Sequence, residues 1–88
     1  FKGESEVDVI AAADGFFVRL EPLLPESVLH SPPVPAPLAR AKGHYRFQIM
    51  MRCEHTVKMT RPIRHVLGAY RMPKGVGCTV DVDALSLL

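Results

Sequence analysis

The sequence contains no tryptophan, only two cysteines and no long apolar run. Two cysteines, Cys53 and Cys78, cannot build a disulfide framework, so we expect a protein that works under reducing conditions. No stretch approaches the roughly 18 apolar residues that a membrane-spanning helix needs, and no apolar signal segment is present. The chain begins with Phe1 rather than Met, and we expect it to be a piece of a longer protein or a processed chain.

The sequence also lacks the common signatures of catalysis. It has no Walker lysine loop, no Gly-x-Gly-x-x-Gly motif and no Gly-x-Ser-x-Gly motif. Cys53 and His55 are close in sequence, but a zinc site needs a second cluster of closely spaced ligands, which is missing. Cys78 lies in the apolar register of an alternating pattern and is most simply a small core residue. The sequence therefore predicts a domain without catalytic residues, metal or cofactor of its own.

Acidic residues are almost missing from the middle of the chain. Residues 27–75 contain nine lysines and arginines and all four histidines, with Glu54 as the single acid. Residues 1–26, in contrast, contain six acids and two basic residues. Such a one-sided segment favours an anionic partner, either phosphate or carboxylate, although a merely solvated basic face would have the same composition.

The stretch from Val34 to Arg52 is the centre of this basic block. Its prolines favour extended backbone, and Gly43 supplies a turn. The residues after the turn alternate with the period of a strand. One set is Tyr45, Phe47, Ile49 and Met51, and the other is Arg46, Gln48, Met50 and Arg52. We expect Arg40, Lys42, Arg46 and Arg52 around one loop and one strand face beside two aromatic rings. The rings share the register of Ile49 and Met51, however, which favours core positions for them over stacking on a ligand.

Two amphipathic helices are predicted. Ser5 and Asp8 have the spacing of a capping box, so the first helix should begin near Glu6. The second should begin after Thr56 as its N-cap, and Pro62 within it predicts a kink or a loose first turn. Its polar side consists of Lys58, Arg61, Arg64 and His65.

Extended segments complete the pattern. Strands are predicted at Ser27–His30, at Tyr45–Cys53 and from Val76 to Asp83, and Phe1–Gly3 looks like the remnant of another. The prolines of Ser31–Pro37 exclude a central strand, so this segment should be a surface loop. An apolar tail, Leu85–Leu88, follows the last predicted strand.

The order of these elements predicts one α+β domain over residues 1–88. It corresponds to a ferredoxin-like βαββαβ fold, with an antiparallel sheet, two helices on one face and a truncated first strand. The first strand of this fold is central. We therefore expect Phe1–Lys2 to serve as its stub, or a strand from another chain to fill the gap.

Several short motifs, taken in order, resemble the C-terminal domain of the PriA family, the bacterial primosomal helicases also called primosomal protein N′. They are Pro35-Ala36-Pro37, Arg40, Gly43, Tyr45-Arg46, Gln48, Lys74-Gly75-Val76, Val80-Asp81-Val82-Asp83 and a closing Leu-Leu. The resemblance covers nearly the whole chain. It departs at Ser31, Phe47 and Ala84, where the family frequently has Gly, Trp and Pro. These departures affect turn geometry and ring size more than charge.

The resemblance implies a non-catalytic DNA- and partner-binding domain of an ATP-dependent 3′–5′ DNA helicase, which restarts stalled replication forks in the bacterial cytoplasm. The implied partners are branched or single-stranded DNA, the acidic tail of single-stranded-DNA-binding protein and the helicase lobes of the parent chain, with no membrane. ATP, Mg²⁺ and zinc would belong to the upstream part of such a protein, and this domain would hold none of them.

The candidate binding residues come from two sources. The resemblance assigns Arg40, Tyr45, Arg46 and Gln48 to the family's basic hairpin motif. Charge placement adds Lys42, Arg52, Lys58, Arg61 and Arg64. An alternative of a different class remains at this point, because an RNA- or protein-docking module of ribosomal-protein-like fold, without a DNA role, would have the same charge pattern.

Overall fold

The computed structural model describes residues 1–82 and contains five short strands and two helices. In chain order they are β1 (Lys2–Gly3), α1 (Glu6–Leu20), β2 (Leu29–His30), β3 (Val34–Ala41), β4 (His44–Gln48), β5 (Met51–Arg52) and α2 (Val57–Ala69). Strands β1, β4 and β3 form one antiparallel sheet in that order, and β2 pairs with β5 in a second. The predicted α+β class is confirmed.

Helix α1 begins where its capping pattern predicts. The Ser5 hydroxyl accepts a hydrogen bond from the Asp8 N–H at 3.3 Å, which satisfies one of the free donors of the first turn. A 3-10 turn, Glu21–Leu23, follows the helix directly and contains Pro22. The buried side of α1, which includes Phe16 and Leu20, faces the core.

The core lies between the two helices and the base of the hairpin. It consists of Phe16, Leu20, Val28, Cys53, Met59, Ile63 and Val66. Burying such a side chain stabilises the fold by roughly 1.5–3 kcal/mol. Helix α2 presents three of these residues and continues through Pro62 as one element. Thr56 occupies the predicted N-cap position, but its side chain makes no capping hydrogen bond. The first turn instead carries a Lys58 N–H bond to the His55 carbonyl at 3.0 Å.

Strands β3 and β4 form a hairpin whose turn is Lys42-Gly43. Both turn residues have positive φ, 52° and 76°, as a two-residue type I′ turn requires. The prediction of a loop over Ser31–Pro37 is wrong from Val34 onward, because β3 begins there. Prolines are tolerated since β3 is an edge strand, and its register shifts between Pro35 and Arg40.

The predicted strand Tyr45–Cys53 is divided into β4 and β5. At the break, the Met50 N–H donates to the Ser31 hydroxyl at 3.2 Å instead of to a carbonyl. The end of the predicted Ser27–His30 strand forms β2, which pairs Leu29 with Arg52 and His30 with Met51. Strand β5 follows β4 closely in the chain, so the small β2–β5 sheet continues from the β4 end of the β3–β4 hairpin.

Strand β1 is the end strand of the main sheet but has backbone partners on both sides, as predicted for a stub of the first strand. On one side Lys2 and Gly77 exchange two backbone hydrogen bonds of 2.9 Å, and on the other side the Phe47 N–H donates to the Phe1 carbonyl at 3.0 Å. The predicted strand from Val76 is wrong within the described residues, where only Gly77 forms a bridge. The reason is that β1 offers a partner of only two residues. Asp83 and the apolar tail Leu85–Leu88 lie outside the described residues.

Helix α1 packs on one side of the main sheet, against β1 and β4. Gly3 is buried there, and a Cβ at this position would lie 3.0 Å from Val9 Cγ2 and 2.9 Å from the Gly75 carbonyl oxygen. A side chain at Gly3 would therefore push the helix away from β1. Among the described residues, no helix is both long and apolar enough to cross a membrane.

Candidate nucleic-acid interface

The register of the main sheet sorts the candidate residues onto two sides. Tyr45 pairs with Gly3 of β1 on one side and with Arg40 of β3 on the other. A Cβ built on Gly3 would meet Val9 of α1, so this face of the sheet is the one that the helix covers. Paired residues share a face and successive residues alternate. Tyr45 and Arg40 therefore lie on the helix side. Arg46, which pairs with Lys2, lies on the side that the helices leave open.

This helix-free side, which we term the open face, is a shallow hollow. Its lining includes Lys2, His44, Arg46, Gln48, Met50, Gly77, Thr79 and Asp81. Lys2 and Arg46 are exposed, and His44 and Gln48 are half-buried. Asp81 is the one acid in this lining. The open face thus combines two exposed cations with hydrogen-bonding side chains, a composition suited to an anion.

The tip of the hairpin adds further positive charge. The guanidinium carbon of Arg40 lies 5.3 Å from the centre of the Tyr45 ring, within the range of a cation–π contact. Lys42 is exposed in the turn, and His44 Nδ1 lies 3.2 Å from the Lys42 carbonyl oxygen. The tip therefore holds Arg40 and Lys42 close together at the end of β3.

An apolar pocket of about 170 Å³ lies on the helix side. Its apolar lining includes Phe1, Phe16, Phe47, Ile49, Met51, Met59, Ile63 and Cys78. Burial raises the pKa of the Cys78 thiol, which disfavours the reactive thiolate. Phe1, Phe47 and Gln48 line both this pocket and the open face, so the two hollows adjoin.

The structure therefore separates residues that the sequence placed around one loop and one strand face. Tyr45 and Phe47 are half-buried on the helix side, away from Arg46. Arg52 lies on β5 opposite Leu29, beyond the main sheet. The other candidates, Lys58, Arg61 and Arg64, are exposed on α2. The open face holds Arg46 and Gln48, whereas Lys42 and Arg40 lie at the tip, with Arg40 on the helix side of the sheet.

Two residues of the open face were missed by sequence reasoning. His44 alternates in phase with Arg46 and Gln48, so the strand period could have identified it. Lys2 joins the face only through pairing between β1 and β4, which links residues 44 positions apart. No local pattern carries that information.

Few of the charges are neutralised within the domain. In residues 1–82, the one ion pair is between His30 Nε2 and Glu21 Oε2, at 3.0 Å. The hydrogen bond to Glu21, followed by the one to the Val28 carbonyl, raises the pKa of His30. The basic side chains of the open face and the tip have no carboxylate partner within the described part of the chain. Nor do three or more His, Cys, Asp or Glu side chains of that part converge on a possible metal position.

Comparison with known proteins agrees with the resemblance of the motifs. The model of the family described as "Primosomal protein N C-terminal domain" matches residues 1–85. The chain belongs to this family. A curated relative, "Replication restart protein PriA" from Synechocystis sp. (strain ATCC 27184 / PCC 6803 / Kazusa), is 29% identical over 85 residues. The match covers 97% of this chain and 10% of the relative, so the chain spans about a tenth of that protein's length. No solved structure matches this family member significantly.

Proposed function

We propose that this chain is a non-catalytic DNA- and partner-binding domain of a replication-restart helicase. Membership of the primosomal protein N family and the name of the relative support a role in replication restart. The observation that carries DNA binding is the open face, where Lys2, His44 and Arg46 surround a hollow that no helix covers. In the longer protein, ATP, Mg²⁺ and zinc serve the upstream part, in the bacterial cytoplasm.

The chemistry of the open face suits a phosphate backbone. Arg46 and Lys2 supply charge-assisted donors, and Gln48 supplies a neutral amide for a sugar or base edge. Lys42 at the tip lengthens this surface along the hairpin, and Arg40 adds positive charge at the tip from the helix side of the sheet. Asp81 repels phosphate at one border and limits the affinity. Branched DNA is the preferred substrate in this proposal because two backbones converge at a junction.

The same surface supports the acidic tail of single-stranded-DNA-binding protein as a second partner. Carboxylates of a peptide would meet Arg46 and Lys2, and an apolar end group would enter the adjoining pocket beside Phe47. DNA and such a peptide would then compete for the open face. The helicase lobes of the parent protein are a third partner in this proposal.

A pair of single substitutions tests the DNA-binding role. Arg46→Gln removes a cation from the open face, whereas Arg71→Gln removes one from an exposed position just after α2. We expect Arg46→Gln to weaken binding to a short forked DNA roughly tenfold, or about 1.4 kcal/mol, in fluorescence anisotropy. Arg71→Gln should change it much less. Equal effects would show that the domain responds only to net charge.

A competition experiment distinguishes DNA binding from the alternative role as an RNA-docking module. Labelled forked DNA bound to the chain is displaced by unlabelled forked DNA or by a structured RNA of equal length. We expect the DNA to compete at clearly lower concentration. Equal competition would favour the alternative, since phosphate contacts alone do not distinguish the two nucleic acids.

A further inference from the structure

Helix α2 carries a second basic surface, separate from the open face. It consists of Lys58, Arg61, Arg64 and His65, all exposed, and we term it the α2 basic face. The buried stripe of the helix, Met59, Ile63 and Val66, points into the core. At 100° per residue the four basic residues occupy the opposite side of the helix. The α2 basic face is therefore turned away from the core.

The two basic surfaces lie in different layers of the domain. Helix α1 covers the Gly3 side of the sheet, and α2 packs against α1 and lines the pocket on that side. The open face is the other side of the sheet. The main sheet and the core therefore lie between these two surfaces. A straight duplex that lies against one surface cannot contact the other.

The charge of α2 is not balanced within the domain. The helix sequence contains no acid, and Lys58 lies in the first turn, where the helix dipole disfavours a positive charge. The one ion pair of residues 1–82 lies elsewhere, between His30 and Glu21. An anion from outside would relieve this unfavourable arrangement.

The side chains of the α2 basic face favour phosphate over an acidic protein. Stable protein interfaces are centred on aromatic or large apolar anchors. The α2 basic face contains lysine, arginine and histidine, and the large apolar side chains exposed on α2, Val57 and Leu67, include no aromatic anchor. Lysine and arginine are the usual donors to the nucleic-acid backbone.

We propose that the α2 basic face binds the phosphate backbone of a second nucleic-acid segment while the open face and hairpin tip hold the first. One domain would then bridge two duplexes, such as two arms of a branched DNA. This inference rests on the proposed function, because it takes the open face as the first binding surface.

The test measures whether one chain holds two duplexes. Two short duplexes, one labelled with a donor fluorophore and one with an acceptor, are mixed with the chain at low salt. Energy transfer reports a complex that contains both. Three proteins are compared: the wild type, Lys58→Gln/Arg61→Gln/Arg64→Gln and Arg40→Gln/Lys42→Gln/Arg46→Gln. Each triple variant removes three charges from exposed positions, and circular dichroism checks its helix content.

The wild type should give energy transfer, with two duplexes per chain by sedimentation velocity. Each triple variant should lose the transfer and bind a single duplex. If the α2 variant still holds two duplexes, or the wild type holds only one, the bridging inference is wrong although the proposed function stands. A wild type that holds only one duplex would also leave the α2 basic face to a different partner, such as an acidic protein. If the hairpin variant binds DNA as the wild type does, the proposed function itself is wrong.

A second readout does not depend on the triple variants. The wild type is treated with a limiting amount of an acetylating reagent in the presence of one and of two equivalents of duplex. Peptide mass spectrometry then measures the acetylation yield at Lys58 and at Lys42. We expect protection of Lys58 only with the second equivalent and protection of Lys42 with the first. An unchanged Lys58 yield at both ratios would overturn the inference.

Discussion

Arg40 and Tyr45 face each other across the β3–β4 hairpin, with the guanidinium carbon 5.3 Å from the ring centre. The ring restricts a long side chain that would otherwise be mobile at the end of the hairpin. Because Lys42 lies in the turn beside it, two positive charges are held at one end of the basic surface. In the proposed interface we therefore expect Tyr45 to position Arg40 rather than to stack on a base.

Substitutions at Tyr45 separate these two roles. Tyr45→Phe keeps the aromatic face under Arg40, whereas Tyr45→Ala removes it. Exposed cation–π contacts contribute roughly 0.5–1 kcal/mol. We expect Tyr45→Ala to weaken forked-DNA binding about two- to fivefold and Tyr45→Phe to leave it nearly unchanged, as measured by anisotropy. An Arg40→Ala background should abolish the difference between them. A difference that persists there would mean that the ring contacts DNA itself.

A glycine inside α1 gives a test of the packing between the helices. A Cβ at Gly15 would lie 2.8 Å from Tyr70 Cζ, so the ring occupies the space of a side chain. Alanine normally stabilises a helix interior by about 1 kcal/mol relative to glycine, but overpacking costs roughly 1–3 kcal/mol. We expect Gly15→Ala to lower the free energy of unfolding by about 1 kcal/mol in urea titrations.

Gly68 of α2 is the matched control for that substitution. No atom lies within 4 Å of a Cβ built at Gly68. Gly68→Ala should therefore raise the free energy of unfolding by up to about 1 kcal/mol. If both alanine variants stabilise the domain, Tyr70 does not pack on Gly15 in solution.

The His30–Glu21 pair predicts a small dependence of stability on pH. The pKa of His30 is raised above its unfolded value of about 6.5, chiefly by the hydrogen bond to Glu21. The protonated form is thus favoured by folding. The resulting stabilisation is complete below the unfolded pKa and is lost as the pH rises through the folded pKa. Glu21 is half exposed, so the effect stays within the range of surface pairs, up to about 1 kcal/mol.

The comparison of Glu21→Gln with the wild type measures this contribution. The His30 ring also lies beside the uncharged Phe17 of α1, at 5.9 Å between ring centres. The difference in unfolding free energy should be larger at pH 5.5 than at pH 8.5. A constant difference would show that the pair does not form, and an NMR titration of His30 checks the direction of its pKa shift.

Asp81 provides a test in which a substitution strengthens binding. It lines the open face with Lys2 and Arg46 and opposes phosphate there. Asp81→Asn should increase forked-DNA affinity about two- to threefold at low salt, since the repulsion of one exposed charge is small. Glu26→Gln, an exposed change outside the open face, is the control. An equal gain in both variants would point to net charge rather than to the open face.

Local signals predicted the parts of this fold that depend on neighbouring residues. The Ser5 cap, the apolar stripes of both helices and the Gly43 turn follow from side chains a few positions apart, and the structure contains each of them. Parts that depend on distant pairing were predicted less well. The break at Met50 depends on Ser31, and the short bridge at Gly77 depends on the two residues of β1.

In the candidate interface, too, some residues were identified from the sequence and others depend on pairing between distant strands. Sequence reasoning assigned Arg40, Arg46 and Gln48 to a basic hairpin from the family resemblance and added Lys42 from its charge. It could not show that strand alternation places Arg46 and Arg40 on opposite sides, because the register shift within β3 decides which residue faces Tyr45. It could not assign Lys2 either, since only sheet pairing brings that residue to Arg46.

The salt dependence of forked-DNA binding tests the central claim most directly. Each duplex phosphate that the protein neutralises contributes about −0.9 to the slope of log K against log salt concentration. We predict a steep negative slope for the wild type, and a slope shallower by roughly 2.7 for Arg40→Gln/Lys42→Gln/Arg46→Gln. An affinity that does not change between low and physiological salt, or a variant whose slope equals that of the wild type, would contradict the assignment of this surface to DNA.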